Sequence, residues 1–171
     1  NNMAVGEFYR VTVDMGRPYR IAGGLQDNQS WIGPSATRGK DGITNADWRD
    51  LGGGDGFYVA IDPADPDIIY AESQEAYAFR LNMRTGQRKS IRPVAKEGSE
   101  GFRFHWNAPL LLSHHDPTVL YLAGTRVFRL TGRGDRWTII SPDLTTRDTS
   151  KVLTAGSGAE NHCTVYTLAE S

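Results

Sequence analysis

One segment of this chain recurs at a fixed distance. The run DPDIIYA, which begins at Asp65, returns as DPTVLYL from Asp116, 51 residues later. The residues that follow also match, because YAFRL from Tyr77 corresponds to RVFRL from Arg126 and a glycine-containing turn follows each. A weaker third copy, YRIAG, begins at Tyr19. Recurrence at a period of this length indicates a repeat architecture.

Each period contains four short apolar runs, which we interpret as β-strands. They span residues 57–61, 68–72, 77–82 and 88–92 in the middle copy, and 109–112, 119–123, 126–131 and 137–140 in the next. The runs are rich in β-branched and aromatic residues and are bounded by Gly, Pro, Asp or Asn. No long helical period is present. Four strands in about 50 residues are typical of a propeller blade.

The sequence therefore predicts an all-β fold of about three four-stranded antiparallel blades, as a fragment of a larger β-propeller. We expect a blade remnant at about residues 1–40, blades at about 57–93 and 108–142, and the first strand of a further blade at about 164–171. A blade buries its faces against neighbours on both sides, so three blades do not close a ring. The remaining blades of a longer parent chain are the expected structural partners.

Composition excludes several function classes. The 19 basic and 20 acidic side chains give a formal net charge of -1, which argues against nucleic acid as a partner. No apolar run is long enough to cross a bilayer, and no signal peptide is evident in this segment. Cys163 is the single cysteine, which excludes an internal disulfide and a cysteine-rich metal site. We expect no cofactor.

Several motifs resemble those of a known group of proteins. They are YRIAGGLQDN (19–28), GITNADW (42–48), GGGDGFY (52–58), FHWNAP (104–109), RGDRWT (133–138) and GAENH (158–162). Together they resemble, over essentially the whole chain, the bacterial sortilin-like proteins with Asp-box (BNR) repeats, which are often labelled glycosyl-hydrolase-like. The resemblance implies a β-propeller and an extracytoplasmic location, either secreted or periplasmic.

The Asp-box of that family reads Ser/Thr-x-Asp-x-Gly-x-x-Trp, and its counterpart here is residues 130–137. Gly134 and Trp137 fit the pattern, whereas Leu130 and Gly132 replace the hydroxyl and the aspartate. The box is therefore degenerate. We interpret Trp137 as a packing residue, and we expect both Trp137 and Tyr121 to be buried because they occupy repeat-defining positions.

The strand order of a blade predicts which loops share an edge. In an antiparallel meander of strands A to D, the B-to-C and D-to-A connections lie at one edge, and the A-to-B and C-to-D connections lie at the other. The first edge receives the long stretches 34–56, 94–107 and 143–163, and long loops on a rigid scaffold commonly carry function.

These stretches concentrate carboxylates, amides and aromatic rings, which suit a sugar or a peptide. The predicted ligand-binding residues are Asn28, Asn45, Asp47, Trp48, Arg103, His105, Trp106, Asn107, Glu160 and His162. Trp48 and Trp106 could equally fill space between blades, and the two histidines could be structural. No metal site is expected, because no close-spaced pair of ligands is present. The favoured function is a recognition or scaffold module that binds peptide or glycan.

A glycosidase-type hydrolase is the alternative, with Asp55 and either Asp27 or Glu160 as its carboxylate pair. Such a pair must stand roughly 5 to 9.5 Å apart across a cleft. The glycines around Asp55 would let a ligand approach closely, but Asp55 could also bond the amides of its own turn, and Asp27 could form an Asx turn. We expect seven residues to share one face: Asp27, Asn45, Trp48, Asp55, His105, Trp106 and His162.

Overall fold

The structure is a computed structural model that describes residues 6–152 and 161–171. Within them the chain forms three four-stranded sheets, each built from antiparallel strands that follow one another along the chain. Sheet 1 contains β1 (Phe8–Val13), β2 (Arg20–Leu25), β3 (Ser30–Pro34) and β4 (Arg49–Gly52). Sheet 2 contains β5 (Val59–Ile61), β6 (Ile68–Ser73), β7 (Tyr77–Asn82) and β8 (Arg88–Ser90). Sheet 3 contains β9 (Leu110–Leu112), β10 (Leu120–Ala123), β11 (Val127–Thr131) and β12 (Arg136–Ile139).

The helical content of the described residues is limited to single turns. These are three-residue 3-10 segments at Asn45–Asp47, Gln74–Ala76 and Thr149–Lys151. The all-β prediction is therefore confirmed, as are strands close to residues 57–61 and 109–112. None of these helical turns has the length or the apolar character that a membrane-crossing helix needs.

The described residues fall into two compact units. Unit 1 contains the chain up to Ser73 together with Leu81–Arg88, and unit 2 contains Gln74–Arg80 together with Lys89–Ser171. Sheet 1 lies wholly within unit 1 and sheet 3 wholly within unit 2.

Sheet 1 is a complete four-stranded sheet, whereas the sequence predicted only a remnant within residues 1–40. Its fourth strand is β4, which pairs with β3. No apolar run marks β4 in the sequence, because Arg49 and Asp50 are exposed and Leu51 is its one buried residue. Residues 35–48 are therefore the connection from β3 to β4.

The segment 164–171, predicted as the first strand of a further blade, forms no strand in the structure. It is held by isolated contacts to residues that directly follow β9 and β10. The N–H of Val165 donates to the carbonyl of Gly124 at 2.7 Å, and the carboxylate of Glu170 accepts from Ser113 and His114. A strand needs a ladder of backbone bonds, and no described strand offers one to this segment.

The core of unit 1 depends on a very close approach of two backbone segments. Sheet 1 packs against β5 through the face that carries Gly24 and Ile32. A Cβ atom on Gly24 would lie 2.0 Å from the carbonyl carbon of Gly56, so only glycine permits this approach. Phe57, next to Gly56, is fully buried, and its ring centroid lies 4.6 Å from that of Tyr9.

Sheet 3 buries one face almost completely, and this face forms the core of unit 2. Leu120 and Leu122 on β10 lie opposite Leu130 and Phe128 on β11, and all four are fully buried. Phe102, from the loop before β9, covers this face with its ring centroid 4.7 Å from that of Phe128.

Trp137 and Tyr121 are both part-exposed, so the prediction that they are buried is wrong. Trp137 lies on β12, an edge strand, where its ring meets those of Phe102 and Phe128 at 5.9 and 5.7 Å and nearly at right angles. Tyr121 lies on the opposite face of β10 from the buried leucines. Both positions recur in the repeat, but neither is enclosed on every side.

The connection between the first and second strands of each sheet is closed in the same way. Asp14, Asp62 and Ser113 each supply a side-chain oxygen that accepts two backbone N–H groups, from residues two to six positions later, at 2.8 to 3.1 Å. Ser113 lacks a carboxylate of its own, and its hydroxyl donates to Glu170 at 2.9 Å. This turn is the structural signature of the repeat.

We expect Asp62→Ala to lower the free energy of unfolding by about 1 to 3 kcal/mol, because two backbone amides of the turn lose their acceptor. Asp62→Asn retains an acceptor oxygen and should cost less. Urea denaturation of both variants measures the difference. Equal losses in the two variants would contradict the assigned role of the turn.

The face of sheet 1 that is turned away from β5 is apolar and exposed. Val11 and Val13 are 59% and 53% exposed, and they pair with Gly23 and Ile21 on this face. The repeat aligns Ile21 with Leu122 of sheet 3, which is fully buried. The same face is therefore covered in one repeat and open to solvent in another.

We expect this face to promote association in solution, since contiguous exposed apolar surface commonly does so. The double variant Val11→Thr, Val13→Thr should lower the average mass seen by sedimentation velocity at high protein concentration. Val94→Thr, at a position that is 67% exposed, is the matched control. An unchanged chain that stays monomeric at every concentration would refute this expectation.

Candidate functional site

Sheet 1 brings two predicted site carboxylates to one edge. Asp27 lies in the turn between β2 and β3, and Asp55 follows β4, so the antiparallel connections place them together. The N–H of Asp27 donates to Asp55 Oδ1 at 2.8 Å. Gln29 and Asp55 also form an isolated backbone bridge. The structure thus joins Asp27, Asn28 and Asp55 at this edge.

The hydrogen bonds of these residues close the turn between β2 and β3. Asp55 Oδ1 is engaged by a backbone amide of that turn, and Asn28 Nδ2 donates to the carbonyl of Gln26 at 3.0 Å. The indole N–H of Trp31 donates to the carbonyl of Asn28 at 2.6 Å. Asp27 itself is exposed and has a φ of 57°. These contacts favour a turn-closing role over the predicted catalytic role of Asp55 and over the predicted ligand-binding role of Asn28.

Asn45, Asp47 and Trp48 lie at the opposite edge of sheet 1, in the connection from β3 to β4. Asp47 accepts the N–H and the hydroxyl of Thr44, and these bonds hold the pKa of Asp47 below its usual range. The indole of Trp48 covers Gly33, where a Cβ atom would lie 2.5 Å from the ring. The prediction that these residues share a face with Asp27 is wrong, because β4 divides the stretch that the sequence analysis treated as one loop.

Residues 103–107 lead into β9 in unit 2, and we call them the lead-in segment. They contain four predicted binding residues: Arg103, His105, Trp106 and Asn107. The carbonyl of Trp106 accepts the N–H of Glu75 at 3.0 Å, and Arg103 Nη2 donates to the carbonyl of Cys163 at 3.2 Å. The N–H of Asn107 donates to His105 Nδ1 at 3.1 Å. The segment is thereby fixed to two other stretches of the chain.

Two polar atoms of the lead-in segment are buried without a hydrogen-bond partner in the described residues. They are Arg103 Nε and Asn107 Oδ1. One is a donor and the other an acceptor. Buried polar atoms are nearly always paired, because leaving one unpaired costs free energy.

Asn161 borders the lead-in segment and was absent from the predicted binding set. Its Nδ2 donates to the carbonyl of Phe104 at 3.1 Å and to Glu75 Oε1 at 3.3 Å. Nearby, the ring of His105 meets that of Tyr166 edge to face at 4.8 Å. His162 is exposed, and Glu160 lies outside the described residues.

A cleft of about 540 Å³ opens beside the last strand of sheet 3, and we call it the outer cleft. Phe102, Trp137 and Ile139 form its apolar floor. Its charged lining consists of Lys96, Glu100, Arg126, Asp143 and Arg147. The stretches 94–107 and 143–163 are predicted to lie at the binding edge, but none of these charged residues is among the predicted binding residues. The basic residues within those two stretches were a sequence signal for this cleft.

One ion pair in the outer cleft joins Arg147 to Asp143. Burial alone would raise the pKa of Asp143, but hydrogen bonds from Arg147 at 2.7 Å and from Thr145 outweigh burial and hold that pKa far below its usual value. The same carboxylate raises the pKa of Arg147. Arg126 Nη1 makes a long contact of 3.4 Å with the carbonyl of Ser141. Lys96 forms no ion pair with any described residue.

Glu72 is a carboxylic acid buried at the end of β6. It is 1% exposed, and neither of its oxygens makes a well-formed hydrogen bond within the described chain. Burial raises the pKa of Glu72 well above the ordinary value of 4.5, and the nearby N–H of Tyr58 opposes this only in part. The repeat aligns Glu72 with Ala22 and Ala123, both fully buried. An ionisable group has therefore replaced a methyl group at one core position of three.

Because the folded chain holds this proton to a higher pH than the unfolded chain, Glu72 contributes stability that is complete below pH 4.5 and is lost as the pH rises through the folded-state pKa. Glu72→Gln removes that loss. As the pH rises, the free energy of unfolding of the variant should therefore increase relative to that of the unchanged chain, by up to about 1.4 kcal/mol per pH unit. Urea denaturation between pH 4.5 and pH 8 measures the gain, with the exposed Glu97→Gln as control. A difference between variant and unchanged chain that is constant over pH would contradict this account.

Within residues 6–152 and 161–171, no group of three or more His, Cys, Asp and Glu side chains is arranged to hold a metal ion. Comparisons with protein-family models, curated proteins and solved structures find no match to this chain. The likeness to the sortilin-like Asp-box proteins therefore stays a prediction from sequence motifs, as does closure of the sheets into a propeller.

Proposed function

We propose that this chain is part of a β-propeller recognition module that binds a peptide or a glycan at the loop edge of its sheets. The proposal includes the remaining blades of a longer parent chain and, from the family resemblance, an extracytoplasmic location. The repeated meander of four strands and the open apolar face of sheet 1, where a further sheet would pack, support it.

The observation that carries the proposal is the pair of unpartnered buried atoms, Arg103 Nε and Asn107 Oδ1. A purely structural loop gains nothing from an unsatisfied donor and an unsatisfied acceptor, because each lowers stability. A peptide unit offers both a carbonyl and an N–H, and a sugar hydroxyl can also accept and donate. Either ligand class would therefore complete the lead-in segment.

The hydrolase alternative has less support. Its proposed pair needs Asp55 free to exchange a proton with substrate, and Asp55 Oδ1 instead accepts the amide of Asp27 at 2.8 Å. Glu160, the other proposed partner of Asp55, lies outside the described residues. No contact of Asp27 or Asp55 favours hydrolysis over binding.

The function is tested by comparing stability and binding in one variant. Peptide and glycan arrays probed with the full chain identify a binding compound, and Asn107→Leu is then measured against it. Removing an unsatisfied buried acceptor should leave the free energy of unfolding unchanged or raise it, while binding falls about tenfold or more. This opposite response is typical of residues retained for function.

Asn82→Leu is the matched control, because Asn82 Oδ1 already accepts the N–H groups of Arg84 and Thr85 at 3.0 Å. That variant should lose stability and retain binding. The proposal fails if Asn107→Leu loses as much stability as Asn82→Leu and still binds normally. It also fails if no peptide or glycan on the arrays binds the full chain.

A further inference from the structure

The outer cleft of unit 2 has the size and the lining of a ligand site, and it is separate in its residues from the lead-in segment's unpartnered atoms. Its volume of about 540 Å³ falls within the range of small-ligand pockets. Trp137 and Ile139 point to the same side of β12, because they pair with Leu130 and Phe128 of β11. Ile139 is 43% exposed there. The cleft therefore presents apolar surface that the fold leaves uncovered.

The shape of the apolar floor selects between ligand classes. The rings of Phe102 and Trp137 meet at 86°, with their centroids 5.9 Å apart. They form a corner rather than a flat platform. A sugar ring needs an open aromatic face on which to stack, whereas an aromatic or large aliphatic side chain fits a corner. The floor therefore favours an inserted side chain, as a peptide would provide.

The charges around the floor determine which ligand residues can flank the inserted side chain. Three basic residues, Lys96, Arg126 and Arg147, face two acidic ones, which leaves one positive charge in excess. Arg147 is already neutralised by Asp143. Lys96 and Arg126 form no ion pair within the described chain, so they are the cations available to a ligand. Charge-assisted hydrogen bonds from such groups to carboxylates are among the stronger polar contacts.

We propose that the outer cleft binds an acidic peptide segment, with one large apolar side chain seated on Phe102, Trp137 and Ile139. Carboxylates on either side of that side chain pair with Lys96 and Arg126. Affinity comes from burial of the apolar side chain, and selection against basic and neutral segments comes from the two cations. The proposal is independent of the function assigned to the lead-in segment, because it uses none of the same side chains.

Calorimetry on the full chain tests this with three capped pentapeptides. The first has phenylalanine flanked by glutamates, the second has phenylalanine flanked by lysines, and the third has alanine flanked by glutamates. We expect only the first to bind measurably. Its affinity should fall as salt is raised, because exposed charges are screened within about 8 Å at physiological ionic strength.

The double variant Lys96→Gln, Arg126→Gln should weaken the first peptide by about tenfold or more. Arg136→Gln, on the same strand as Trp137 but on its other face, should bind like the unchanged chain. A thermal melt confirms that each variant is folded, and the single variant Lys96→Gln serves if the double variant is not.

Three results would overturn the proposal. They are equal binding of the lysine-flanked peptide, full affinity in the Lys96 and Arg126 variants, and no binding of any peptide at millimolar concentration. A preference for an acidic oligosaccharide, tested in parallel, would assign the cleft to glycans and also overturn it. We expect Asn107→Leu to leave peptide binding at the outer cleft intact, which would show that this cleft binds independently of the lead-in segment.

Discussion

Each four-stranded sheet of this chain carries apolar residues on two faces, and the need to bury both governs the rest of the structure. Sheet 1 meets half of this requirement. Its face with Gly24 and Ile32 packs against β5, whereas Val11 and Val13 on its other face meet solvent. The packed side depends on backbone contact at Gly24 and Gly56, since a side chain at Gly24 would collide with the opposing carbonyl carbon. Two-sided burial of this kind is what ties a repeat sheet to neighbours on both sides.

The strands that bury their side chains could be predicted from the sequence, because alternating or continuous apolar runs mark them. The recurrence of DPDIIYA and DPTVLYL located the central strands of two sheets. β4 escaped detection because its one buried residue, Leu51, stands among charged and glycine neighbours. That single omission moved Asn45, Asp47 and Trp48 to the wrong edge of sheet 1. In a meander every connection changes edge with each strand, so one missed strand reverses the assignment of a loop.

The candidate sites were less predictable than the strands because they depend on packing between distant segments. The sequence pointed to Arg103 and Asn107 by residue type, but only the packed loop reveals that Nε and Oδ1 lack partners. Trp137 was assigned to packing from its place in the degenerate Asp-box. Its partial exposure beside Phe102 follows from the position of β12 at an edge of sheet 3, which creates the floor of the outer cleft. Glu72 shows the converse, since an acid within an apolar strand gives no sign in sequence that it is fully enclosed.

The turn at Ser113 has a consequence for the order in which the chain folds. Asp14 and Asp62 close their turns with carboxylates of their own, so those turns can form as soon as a few adjacent residues have left the ribosome. Ser113 closes its turn with its own hydroxyl, but that hydroxyl and the N–H of His114 also donate to Glu170, which lies 57 residues further along than Ser113. Closing a segment of that length carries an entropic cost that neighbouring donors and acceptors avoid, and long-range contacts of this kind slow folding. The full set of hydrogen bonds at the third turn therefore forms only after residues 164–171 have been synthesised, whereas the first two turns need no residue so far along the chain.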